Sequence, residues 1–336
     1  MEIPRRVRRP RKRHPNKMEQ LIVLLSAVLA ICLIIALLIP TSAQNSGPQL
    51  QSTNPPTQPS SSVVPPSSSA VTPPTSLPPE TFPPVTTPPA TKPGLEYIGN
   101  LYTRTELEAL DRTMNLYGIG KNVDEKNRPI NALNLDKQYE KYDAHFIGPD
   151  NGKIYLTYTA TYEHEGNVKK TLDILKAKNV KAVFFVDKAF ARLYPELTRQ
   201  IIDDGHILGN HCTTHPKLPE LTIDKIVKQI MDIHEYVKAY YGYEMRLFRP
   251  PSGYFSEQVW AIAQSLGYRS YNYSFTYRDW DRENQPNPQS SLDKMIHALH
   301  SGAIYYLHAI SSTNVAIMED FIDTARSQGY EFEILP

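Results

Sequence analysis

Cysteine is nearly absent from this sequence: Cys32 and Cys212 are the only two in 336 residues. No disulfide framework can be built from them, so any folded region must rest on a hydrophobic core. Net charge is also small, +1 over the whole chain, and it is unevenly placed. Eight Lys and Arg fall in the first 17 residues against Glu2 alone, which leaves the remainder mildly acidic. A basic block confined to one end does not make a nucleic-acid-binding domain. Proline is sparse outside one stretch, because 16 of the 29 prolines lie in residues 40–93.

What is present divides the chain into four parts. Residues 1–20 are a basic tail, expected in the cytoplasm. Residues 21–39 are an uncharged apolar run, and a helix of that length matches a hydrocarbon core of about 30 Å. The basic flank on its N-terminal side places the N-terminus inside and the rest outside the cell membrane, as a single-pass signal anchor. A cleaved signal peptide ending at Ala43 is the rival reading. Residues 40–95 form a stalk rich in Pro, Ser and Thr, where fixed φ and missing amide donors preclude a packed core. Extended at about 3.1 Å per residue, such a stalk reaches on the order of 170 Å at most. Residues 96–336 are long enough to bury a core, and 101–150 read as a helical lead-in to them.

The lead-in shows a capping-box spacing at Thr105 and Glu108, with Leu107, Leu110 and Met114 following at helical intervals up to Gly118. Beyond it, strand-like and helix-like segments alternate. IYLTYT at 154–159 precedes an amphipathic stretch at 168–178. KAVFFV at 181–186, apolar on both faces, suits a buried parallel strand. A helix over 190–202 leads to a short strand around GHILGNH, and then to a long helix closed by Gly242. The pattern continues with LF at 247–248, a helix over 259–266 and a strand over 268–275. A helix over 292–299, AIYYL, a helix over 314–327 and YEFEIL complete it. About seven such alternations predict an α/β fold with a mostly parallel sheet, and a barrel and a doubly wound sheet both fit.

In either architecture chemistry belongs at the carboxyl ends of the strands. The polar motifs fall there: His211 and His215 in HCTTH, Arg249 in RPPSGY, Asp279 and Trp280 in YRDWD, and His308 after AIYYL. A single strand-end histidine is more often structural than catalytic, but four such motifs each follow a predicted strand.

These motifs, in this order, resemble the polysaccharide deacetylases, the NodB-homology carbohydrate esterases, and most of all the branch acting on peptidoglycan muramic acid. The resemblance covers roughly 101–335 and implies a deformed (β/α)7-type barrel with an open groove. It implies that His211 and His215 bind a divalent metal, Zn above all. Arg249 would steady the catalytic base, and Asp279 would tune His308, the acid that protonates the leaving amine. Trp280 would wall the groove, with Tyr254 as a further sugar-stacking ring, and the partner would be cell-wall peptidoglycan.

The likeness fails at one place. Where the family carries T-F-D-D/E/N-G, this chain reads Thr157-Tyr158-Thr159-Ala160-Thr161. Thr159 stands at the base position and Ala160 at the third metal-ligand position. A hydroxyl is no base at neutral pH, and a positioned base contributes about 10²–10⁴-fold. Two imidazoles alone should hold a metal weakly. Arg249, robbed of its carboxylate, should leave a cationic pocket floor that favours carboxylate-bearing muropeptides over neutral oligosaccharides. Three functions stand: a degenerate deacetylase that binds wall glycan, an active de-N-acetylase with a base or ligand relocated to His164, Glu165 or Cys212, and a regulatory partner of a wall-synthesis complex.

Overall fold

The computed structural model describes residues 101–336. The basic tail, the apolar run and the stalk expected at 1–20, 21–39 and 40–95 lie outside the described residues. Among the described residues no helix is long and apolar enough to cross a membrane.

The lead-in begins with α1 (Arg104–Ala109) and a two-residue strand β1 (Asn115–Leu116), followed by α2 (Ile130–Tyr139) and β2 (Ala144–His145). Strand β3 (Lys153–Ala160) opens the alternating part, followed by α3 (Asn167–Ala177), β4 (Val183–Val186), α4 (Lys188–Leu193), α5 (Pro195–Asp203) and β5 (Ile207–Asn210). Next come α6 (Ile223–Tyr241), β6 (Leu247–Phe248), β7 (Tyr254–Phe255), α7 (Glu257–Ser265), β8 (Arg269–Tyr271) and β9 (Phe275–Thr276). Helix α8 (Pro288–His297), β10 (Ala303–His308), α9 (Ser312–Ser327) and β11 (Glu331–Phe332) finish the chain.

The main sheet runs β2-β8-β6-β5-β4-β3-β10-β9, with β11 added against the start of β3. Every pairing in it is parallel. The expected single strand over 268–275 is two strands: β8 pairs with β6 near one edge, and β9 pairs with β10 at the other. One short stretch of chain thus serves both sides of a curled, half-barrel sheet, and the α/β expectation holds at that level.

The central strands are buried on both faces, as parallel strands covered by helices must be. Phe184, Phe185, Tyr158 and Tyr305 have no exposed surface, and each buried ring of this size contributes about 1.5–3 kcal/mol. Helix α6 turns Ile226, Ile230, Ile233 and Val237 inward and ends at Gly242, whose φ of 64° is the left-handed stop glycine adopts freely.

Three local expectations are corrected. The capping box is formed by Thr103 and Glu106 instead of Thr105 and Glu108, because the segment repeats the same Thr-x-x-Glu spacing two residues earlier. Its helix stops at Ala109; Met114 is exposed, and Leu116 pairs with Tyr254 in an antiparallel ladder. The helix expected over 190–202 breaks at Tyr194, since Pro195 drives the preceding residue out of helical geometry and itself starts α5.

Candidate active-site cleft

The sheet carries the predicted residues to one end. Thr159 and His308 are directly paired neighbours on β3 and β10, and Ala160 pairs with Val186. His211 follows β5, Arg249 follows β6, and Asp279 follows β9. A cleft of about 760 Å³ opens there, lined by Thr159, His215, Trp280, Tyr306 and His308 among others.

The Asp279–His308 pair is fully assembled. Asp279, with no exposed surface, accepts from the His308 backbone N–H at 2.7 Å, from His308 Nδ1 at 2.7 Å and from Asn314 Nδ2 at 2.7 Å. A carboxylate can only accept, so Nδ1 carries the ring proton of neutral His308 and Nε2 presents its lone pair. The Tyr306 hydroxyl stands 3.1 Å from that nitrogen and donates to it.

The histidine pair is held just as firmly. His211 is buried, and its Nδ1 donates to the Arg249 carbonyl at 2.8 Å. That bond fixes the tautomer and leaves Nε2 buried without a partner, the arrangement of a metal-binding imidazole with its outer-shell contact made. Burial pushes its pKa well below the ordinary range, so the ring is neutral. The chain reaches His215 through left-handed backbone at Cys212 (φ 70°) and at His215 itself (φ 57°). Gln229 secures the turn: its carbonyl accepts from Thr213 N–H at 3.0 Å and its Oε1 from Thr214 N–H at 3.0 Å. The two imidazole centroids lie 5.0 Å apart.

Zinc wants at least three protein ligands. Ala160 is fully buried and offers no donor, and among the described residues no group of three or more His, Cys, Asp or Glu gathers to hold a metal ion. The two histidines suit such an ion, but the donor set is incomplete. Among the described residues, no Asp or Glu lines the cleft.

None of the substitute ligands considered from the sequence reaches this cleft. Glu163 accepts from the N–H groups of His164 at 2.6 Å and Val168 at 3.2 Å, fastening its loop to α3. His164 and Glu165 face each other at 3.9 Å outside the cleft. Cys212 is sealed in the core, where burial pushes the thiol up and keeps it protonated.

Two site assignments need correction. Arg249 was expected as an open cationic floor, yet it is only 1% exposed and does not line the cleft. Its guanidinium donates to the carbonyls of Tyr271 at 2.9 Å and Asn272 at 2.8 Å, and to Thr157 Oγ1 at 2.8 Å. It lies between the rings of Phe185 (4.3 Å) and Tyr306 (4.8 Å), and burial pushes its pKa down to about 10. Carbonyl dipoles and ring faces thus replace the missing carboxylate. Tyr254 does not line the cleft either: it sits in the ladder with β1 and its ring faces Lys217 Nζ at 5.2 Å. Trp280 is placed as expected, 52% exposed at the cleft wall with Arg278 stacked on it at 5.0 Å.

Sequence reasoning missed Tyr306 and Thr157. Both could have been found by the two-residue period of a strand, since Tyr306 shares a face with His308, and Thr157 with Thr159. The Thr159 hydroxyl is buried and makes no hydrogen bond of normal geometry, though it is near enough to Tyr306 to restrain that phenol's upward-shifted pKa.

Known proteins share this architecture. The family profile described as polysaccharide deacetylase matches residues 147–271. The peptidoglycan-N-acetylmuramic acid deacetylase PdaA of Bacillus subtilis is 38% identical over 207 residues, which span 61% of this chain and 78% of that protein. Its structure, a family 4 carbohydrate esterase, matches with a TM-score of 0.63 at 35% identity, over 67% of this chain and 96% of that one. A family 4 pseudoenzyme from Bacillus anthracis matches with a TM-score of 0.53 at 28% identity, over 56% of this chain and 66% of that one. A mutant of that pseudoenzyme, with restored enzymatic activity, matches equally well at 0.53. The chain therefore belongs to the polysaccharide deacetylase family, the family 4 carbohydrate esterases.

Proposed function

We propose that this chain is a membrane-anchored wall protein that binds N-acetylated peptidoglycan in the cleft and hydrolyses the N-acetyl amide poorly or not at all. One observation carries the reading: among the described residues no carboxylate lines the cleft, with Thr159 at the base position and buried Ala160 at the third ligand position. Without a base the family's water-activating step loses about 10²–10⁴-fold, and two imidazoles leave any divalent ion loosely held. The acid arm and the aromatic wall at Trp280 remain, which supports retention of the groove. A muramic acid deacetylase and a family 4 pseudoenzyme both stand among the relatives, so the substrate class and the loss each have precedent. The basic block before the apolar run at 21–39 supports anchoring with the folded part outside the cell.

Calorimetric titration of the purified chain with a muropeptide and with a chitooligosaccharide tests this reading. We expect saturable binding that weakens when Trp280→Ala removes the exposed ring. No binding of either glycan, or binding indifferent to Trp280→Ala, would overturn it.

A further inference from the structure

Tyr306 lines the same cleft as Thr159, the residue at the base position. Tyr306 is two positions before His308 on β10 and pairs with Thr157 on β3. Its side chain makes two contacts at the reaction centre. The ring covers Arg249 at 4.8 Å, opposite Phe185. The hydroxyl bonds His308 Nε2 at 3.1 Å.

We propose that Tyr306 is a positioning residue that closes the reaction centre, holding Arg249 by its ring face and His308 Nε2 by its hydroxyl. The hydrogen bonds form one continuous chain. Tyr277 donates to Asn314, and Asn314 donates to Asp279 at 2.7 Å. Asp279 accepts from His308 Nδ1 at 2.7 Å, and Tyr306 donates to His308 Nε2 at 3.1 Å. Both ring nitrogens of His308 are then engaged by the protein. A leaving amine needs a proton from Nε2, and in the neutral ring, with Nδ1 donating to Asp279, that nitrogen accepts from Tyr306 instead. The Arg249 charge, lacking a carboxylate, is steadied by a ring on each side, in the manner of a desolvated cation–π pair. Loss of the carboxylates and closure by Tyr306 are thus two separate barriers to hydrolysis.

The test reads His308 directly and does not depend on glycan binding or turnover. The full chain is treated with diethyl pyrocarbonate, and modification of each histidine is followed by peptide mass spectrometry. Tyr306→Phe keeps the ring over Arg249 and removes only the hydroxyl. His308 modification should then speed up about fivefold or more, the factor that a hydrogen bond of ordinary net strength represents, while His215 keeps its rate. A His308 rate within twofold of the unmodified chain would overturn the proposal. If Tyr306→Phe does not fold, imidazole nitrogen NMR of the natural chain decides. A His308 Nε2 resonance of a hydrogen-bonded acceptor supports the assignment, and that of a free imine nitrogen refutes it.

Discussion

Replacing Asp279 with Asn changes one oxygen for an amide, yet the surroundings make it a demanding substitution. Three donors point at this carboxylate: the His308 backbone N–H, His308 Nδ1 and Asn314 Nδ2, each at 2.7 Å. The first and third share Oδ2, so the amide nitrogen of an Asn cannot sit there without facing two donors. It must take the place of Oδ1, opposite His308 Nδ1. The imidazole then relieves the clash by moving its proton to Nε2, which turns its bond with Tyr306 around so that the ring donates. Two of the three bonds survive with a neutral acceptor, and the third survives reversed, from the Asn amide to His308 Nδ1. Bonds to charged groups are worth about 1.5–3 kcal/mol and neutral ones about 0.5–1.5, so roughly 1 kcal/mol is lost from each. Asp279→Asn should therefore destabilise the fold by about 2–3 kcal/mol and exchange the His308 tautomer. Asp279→Ala removes the shared acceptor of all three donors, of which only Asn314 Nδ2 keeps another bond, to the His308 carbonyl at 3.2 Å, and should cost more, on the order of 3–6 kcal/mol. Urea denaturation gives the stability, and nitrogen NMR of the imidazoles gives the tautomer. A loss under 0.5 kcal/mol with an unchanged tautomer, against an expected size of about 2 kcal/mol, would refute the hydrogen-bond assignment.

Metal, packing and pH supply further tests. Zn²⁺ should not raise the melting temperature of the natural chain, and metal analysis should find less than one ion per chain. Ala160→Asp should lower that temperature without metal, because it buries an unpaired carboxylate, and with Thr159→Asp it should make Zn²⁺ stabilising; one tightly held ion in the natural chain would contradict the two-ligand site. Gly209→Ala would place a Cβ 2.5 Å from the Phe185 ring that covers Arg249, and overpacking of this kind costs about 1–3 kcal/mol by denaturant titration; a neutral result would show that the ring moves freely. Burial pushes His206 and His300 down to about 4, so below the unfolded pKa the unfolded chain binds these protons and the native one does not. The stability present at neutral pH is lost as pH falls towards 4, by about 1.4 kcal/mol per unit for each group. Asp187, pushed up to about 6 by burial, takes up its proton in the native state first and offsets one of the two. The stability advantage of the natural chain over His206→Gln should therefore shrink from pH 7 to pH 5, and a constant difference would refute this.

Much of the architecture was legible because the strands announce themselves. VFFV on β4 and the apolar run on β3 are buried on both faces, and the strand-end motifs follow directly from that placement. The switch of partners between β8 and β9 was not legible, since residues 270–275 are all buried and nothing in the residue pattern marks the non-strand residues 272–274 between the two strands. The ladder of β1 with β7 is two residues long on each side, too short to show any period. In the cleft, the polar motifs marked His308, Asp279 and the histidine pair. The enclosure of Arg249 was hidden because two of its acceptors are backbone carbonyls, at Tyr271 and Asn272, and carbonyls have no sequence signature. Tyr306 was overlooked for the opposite reason: it reads as one more core aromatic in a strand full of them.

The central claim is that a deacetylase fold with an intact acid arm has lost its hydrolytic step. Acetate release from muropeptides by the purified chain, with and without Zn²⁺, measures that step directly. The account predicts no release above background from the natural chain, and detectable release once Thr159→Asp and Ala160→Asp are combined with Tyr306→Phe. Sustained Zn²⁺-dependent turnover by the natural chain, abolished by His308→Ala, would contradict it.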